Sequence, residues 1–128
     1  MGELTASAMV DEAKSRIENL TPEEVAKEIE GGALMVDIRE EEELRSEGRI
    51  PDAVSAPRGM LEFLVDPTSA YHREEFQPDR RIVLYCSAGG RSALGADTMQ
   101  RMGYSQVAHL DGGFTAWKEQ GRPVEHDA

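Results

Sequence analysis

Ile82-Val83-Leu84-Tyr85-Cys86-Ser87-Ala88-Gly89-Gly90-Arg91-Ser92 is the stretch on which the reading of this chain turns. Ile82 to Tyr85 is a short apolar run of the kind that forms a central strand, and Ser92 to Met102 reads as a helix closed by Gly103. Between them lies a tight loop of small residues. Such a loop lets successive backbone N–H groups turn inward as a concave nest for an anion, and the positive end of the following helix adds to it. Cys86 opens that loop. A thiolate is a charge the nest favours, so the cysteine is expected to have a depressed pKa and to act as a nucleophile. A lone cysteine is more often an inert core residue, but Ser, Ala, Gly, Gly and Arg in succession are not core chemistry.

Working outward, apolar runs alternate with helical segments. Thr21-Pro22-Glu23-Glu24 is a helix start with capping-box spacing, and Gly31-Gly32 ends that helix. Leu34 to Ile38 reads as a buried strand, Glu40 to Glu47 as a short surface helix, Gly48 to Ala53 as a loop and Val54 to Ala56 as a very short strand. Arg58 to Val65 reads as a helix, and 66–79 crosses the surface. Val107 to Leu110 is the last strand, and Gly112-Gly113 opens a last helix carrying Phe114 and Trp117, both read as core packing. Alternation of this kind specifies an α/β domain, a mostly parallel sheet of about five strands with helices on both faces. Ligands of such sheets sit beyond the carboxyl ends of the strands, where Cys86 lies.

Residues 1–20 read as an N-terminal helix or arm, with Met9, Ala13, Ile17 and Leu20 at helical spacing. Such a helix could serve dimerisation or docking, or pack on its own domain; the second is preferred. The domain proper is set at 21–125, with 126–128 as a C-terminal tail.

The chain has 128 residues, enough for one domain, with 14 basic against 25 acidic side chains and a net charge of -11. That balance argues against nucleic acid or an anionic membrane as a partner. No apolar stretch is long enough to span a bilayer, and the acidic N-terminus lacks signal-peptide character, so the expected compartment is the cytoplasm. A single cysteine suits a reducing compartment and leaves no cysteine cluster for zinc. His72, His109 and His126 show no ligand spacing. No metal or cofactor is expected, and His109 reads as a satisfied, buried histidine.

Four motifs resemble those of single-domain rhodaneses, the thiosulfate sulfurtransferase family. Asp37-Ile38-Arg39-Glu40 resembles the strand-end Asp-x-Arg element, and Gly48-Arg49-Ile50-Pro51-Asp52-Ala53 resembles the Gly-His-Ile-Pro-Gly-Ala motif. Cys86 to Ser92 resembles the active loop, and Leu110-Asp111-Gly112-Gly113 with Trp117 and Gly121-Arg122-Pro123 resembles the C-terminal signature. The order is that of the family, from about Thr21 to Val124. Arg49 stands where the family has histidine and Asp52 where it has glycine.

The resemblance implies a two-step sulfur transfer. The Cys86 thiolate takes the outer sulfur of a thiosulfate-like donor, sulfite leaves, and a thiophilic acceptor such as cyanide, a thiol or another protein removes the sulfur from the persulfide. Backbone N–H groups of Ser87, Ala88, Gly89, Gly90, Arg91 and Ser92 would bind the anion, with the Arg91 side chain favouring the thiolate. Arg39, Arg49 and Arg58 are candidates for positive charge at the rim; Arg39 could equally form a structural pair with Asp37. Four residues separate Cys86 from Arg91, where related phosphatases of the fold carry five, so the resemblance favours sulfur over phosphate or arsenate chemistry. A regulatory or binding module that keeps the fold without catalysis is the alternative of a different class.

Overall fold

The computed structural model describes residues 4–126. The elements run α1 (Ala6–Arg16), β1 (Glu18–Leu20), α2 (Pro22–Glu30), β2 (Leu34–Asp37), α3 (Glu41–Glu47), β3 (Val54–Ser55), a 3-10 turn (Arg58–Met60), α4 (Leu61–Val65), β4 (Ile82–Tyr85), α5 (Gly90–Arg101), β5 (Val107–Leu110) and α6 (Gly113–Glu119). The five strands form one all-parallel sheet in the order β1-β5-β4-β2-β3, with β4 at its centre.

Strand side chains alternate between the two faces, so each strand feeds two cores. Leu34, Val36, Ile82 and Leu84 pack with Leu61 and Val65 of α4 and Ala96 and Met99 of α5. Met35, Val83, Tyr85 and Ala108 pack with Val25 of α2 and Phe114 and Trp117 of α6. A sheet covered on both faces needs near-continuous apolar strands, and every residue of β2, β4 and β5 is buried. The α2 cap forms as its spacing predicts: Glu24 N donates to Thr21 Oγ1 at 3.1 Å, and Thr21 N donates to Glu24 Oε1 at 2.9 Å.

The N-terminal segment differs from its helical spacing. The helix ends at Arg16, and Glu18–Leu20 turns into an edge strand paired with β5. The Asn19 side-chain amide donates to Lys14 O and Ile17 O, satisfying carbonyls freed at the helix end. Leu20 is buried from the strand, not from a helix face. Helix α1 lies along α5, where Arg16 makes a two-pronged pair with Asp97 and Gln100 donates to Arg16 O. Of the expected tail, only His126 falls within the described residues.

Candidate active site

Cys86 directly follows the central strand and is 1% exposed. Gly89 then adopts a left-handed conformation (φ 109°), which turns the chain so that α5 begins at Gly90, two residues earlier than its composition predicts. The first-turn amides of a helix have no partner within it, and here the turn wraps the sulfur. Gly89 N donates to Cys86 Sγ at 3.2 Å and Ser92 N at 3.4 Å. Among the described residues these are the amides that reach Sγ; those of Ser87, Ala88, Gly90 and Arg91 form no bond to it.

The outer side of the loop is fixed by α6. Phe114 N donates to Cys86 O at 2.8 Å and Thr115 N to Ser87 O at 3.0 Å. This approach needs Gly113, whose φ is 61° and whose added Cβ would lie 2.4 Å from Ser87 O. The Gly112-Gly113 pair therefore serves the loop as well as the helix start.

The arginines are distributed unevenly. Arg91 stays beside the loop but makes a two-pronged pair with Glu43 of α3 at 2.7 and 3.0 Å. Glu43 holds its guanidinium above the ordinary value, burial opposes this, and Cys86 adds to it. Arg39 is fully buried, bonded to both Asp37 oxygens and to Gly48 O, with its guanidinium 4.3 Å from the Phe114 ring centre. Arg49 pairs with Glu125, and its backbone bridges to the same residue. Arg58 turns toward Glu62 and Thr98. None of these last three is brought into the loop. The local positive field at Sγ comes from amides and a helix end, with one arginine at the side. Asp52, standing for the family's glycine, has φ 66°, the only positive φ outside glycine among the described residues.

In sequence Glu43 reads only as part of a short surface helix, Glu40 to Glu47. The Arg91 guanidinium, against the opposing effect of burial, lowers its carboxyl from 4.5 to about 2, and the Glu40 amide assists. A carboxylate with a depressed folded pKa stabilises the fold fully above its unfolded value, and that contribution fades as pH falls. Glu43→Gln is therefore expected to lower the melting temperature above about pH 4.5, with the difference from wild type shrinking toward pH 2. Melting curves at stepped pH check this; a constant difference across the range refutes it.

A polar chain runs inward from the sulfur. The Cys86 thiol donates to Ser92 Oγ at 3.6 Å, Ser92 Oγ lies 2.9 Å from His109 Nδ1, and His109 Nε2 lies 2.8 Å from Asn19 Oδ1. His109 is fully buried, and burial pushes it down to about 4, with Asp111 raising and Lys14 lowering it. Asn19 escaped sequence reasoning entirely, since a single polar residue before a helix cap carries no signal. Among the described residues no cluster of three or more His, Cys, Asp or Glu side chains is placed to hold a metal.

The sequence profile of the rhodanese-like domain matches residues 21–120. A sulfurtransferase of Allochromatium vinosum is 34% identical over 91 residues, covering 71% of this chain and 77% of that one. Thiosulfate sulfurtransferase GlpE of Pseudomonas syringae is 27% identical, covering 81% of this chain and 90% of that one. A solved structure from Rhodopseudomonas palustris is 44% identical with a TM-score of 0.90, over 98% of this chain and 99% of that one; it is described as a protein of unknown function and possible tyrosine phosphatase. A cysteine at the end of the central strand, a loop that aims amides at its sulfur and a profile spanning most of the chain lead to one assignment: this chain belongs to the rhodanese-like sulfurtransferase family.

Proposed function

We propose that this protein moves a sulfane sulfur from thiosulfate, or a similar small anionic donor, to a thiophilic acceptor through a persulfide on Cys86. The observation that carries the reading is the pair of amides, Gly89 and Ser92, directed at Sγ. Sulfur of a thiolate or persulfide is polarisable and anionic, and preorganised N–H dipoles stabilise it with no reorganisation in the reaction. The thiolate attacks the outer sulfur of the donor; the S–S bond of thiosulfate breaks, its electron pair leaves with sulfite, and the new S–S bond lies on Cys86. Attack on that outer sulfur by cyanide or a thiolate returns the electron pair to Cys86 Sγ. No net proton is consumed in either half. A reducing compartment, the cytoplasm, suits one free thiol, and the acceptor is a small thiol or a cysteine of another protein.

Intact-mass measurement after thiosulfate treatment tests this. A gain of one sulfur atom, lost on adding cyanide or a thiol, is expected. An unmodified mass would favour a non-catalytic binding module.

The likeness to the Rhodopseudomonas palustris protein raises a second reading, phosphate-ester hydrolysis. A general acid would then have to protonate the leaving group. The acids near the loop, Glu43 and Asp111, are tied to Arg91 and Lys14, and the four-residue spacing of Cys86 and Arg91 makes a small loop. Turnover of an aryl phosphate at a rate comparable to thiosulfate would restore that reading.

A further inference from the structure

We propose that Cys86 gives up its proton inward, through the Ser92 hydroxyl to Nδ1 of His109, and that Asn19 of strand β1 sets the tautomer that leaves this nitrogen open. The inference rests on reading Cys86 as the nucleophile. The sulfur is almost fully buried, so its polar contacts in the resting protein are chiefly protein groups. Two of its polar neighbours are amide N–H groups, which donate and cannot accept. The Arg91 guanidinium also faces the sulfur and likewise can only donate, which leaves Ser92 Oγ as the acceptor of the thiol.

The direction of the chain follows from its far end. The Asn19 amide nitrogen donates to two carbonyls, Lys14 O and Ile17 O, which fixes its oxygen toward His109. That oxygen can only accept, so His109 Nε2 carries the hydrogen and donates to it. A neutral imidazole then has its lone pair on Nδ1, and Nδ1 faces Ser92 Oγ at 2.9 Å. The alternative acceptor for the Ser92 hydroxyl, Gly89 O, is farther at 3.4 Å. The Ser92 proton therefore belongs to His109, and its oxygen is left facing the thiol.

In the transfer the Cys86 S–H bond breaks and its electron pair stays on sulfur. Ser92 Oγ gains that proton as its own passes to Nδ1. The product is a thiolate held by two amides and an imidazolium still bonded to Asn19. Because neither half of the sulfur transfer consumes a proton, the imidazolium remains as counter-charge through the cycle. The groups facing His109 are Cys86 at the end of β4, Ser92 from α5, Asn19 from β1, Lys14 from α1 and Asp111 beyond β5. Lys14 and Asp111 are paired with each other at 2.9 Å, so the charge change at the thiolate is the large one nearby. Burial favours the neutral imidazole, and the thiolate at the other end of the chain is the charge that offsets this once the proton is transferred. His109 and Asn19 act through Ser92 as positioning residues.

The test is the pH dependence of Cys86 alkylation by iodoacetamide in Ser92→Ala, His109→Asn and Asn19→Ala. In Ser92→Ala and His109→Asn the midpoint is expected to rise by about one pH unit, with alkylation about tenfold slower near neutrality and converging on wild type in alkali. Asn19→Ala, at an exposed edge strand, gives a smaller shift in the same direction. A midpoint unchanged in folded Ser92→Ala, or a uniform slowing at every pH, overturns the relay and leaves these residues structural. Should His109→Asn fail to fold, Ser92→Ala and Asn19→Ala decide. Alkylation does not require sulfur transfer: a shifted profile without a persulfide would keep the relay and reject the proposed function, and the reverse result would do the opposite.

Discussion

Cys86→Ser and Cys86→Ala are each expected to abolish thiocyanate formation from thiosulfate and cyanide, a loss of about a thousandfold or more, because nothing else in the loop can carry sulfur covalently. The expectation is sharp because the fold should survive. In Cys86→Ser the Gly89 and Ser92 amides that now reach Sγ can donate to the new hydroxyl, so the buried oxygen has partners. In Cys86→Ala one sulfur atom leaves a closely packed site, at a cost of about 1 kcal/mol. Folded variants, checked by their thermal transitions, that still turn over thiosulfate would remove Cys86 from the mechanism.

The largest effect on stability is expected from Asp37→Ala. Arg39 is fully buried, and Asp37 accepts from its backbone N and from its Nε and Nη2. Removing the carboxylate leaves a buried guanidinium with Gly48 O, the Phe114 ring and only the more distant Glu43 carboxylate, which is itself paired with Arg91. Breaking one side of a buried pair costs about 3–5 kcal/mol, against little or none when both charges are replaced by apolar groups. Urea denaturation should therefore show Asp37→Ala to be strongly destabilised and the double variant Asp37→Leu with Arg39→Met to be less so, despite its two changes. A double variant worse than the single one would mean that the pair stabilises the fold outright.

The parts legible in the sequence are those encoded by near neighbours. The strand, loop and helix from Ile82 to Arg101 are read from consecutive residues, and the Thr21 cap from a spacing of three. The four motifs gave the family for the same reason. The N-terminal strand was not legible: three residues carry no period, and helical spacing ran across them by coincidence. The charges were legible in sign and, apart from Asp37 as one of two readings for Arg39, not in partner. Arg39, Arg49 and Arg58 are as basic in sequence as Arg91, and only the fold commits the first three to Asp37, Glu125 and Glu62. Glu43 and Arg91 are 48 positions apart, and His109 and Asn19 are 90 apart. His109 reads correctly as a satisfied buried histidine; that its two partners connect it to the nucleophile is a property of strand order, which sets β1 beside β5 and β5 beside β4.

The outermost strands of the sheet have a separate consequence. β1 has three residues and β3 two, so each edge offers only a few unpaired backbone groups. A long exposed edge would be a template for strands of other chains. Edges this short give a foreign strand little to pair with, and a net charge of -11 opposes the close approach of copies.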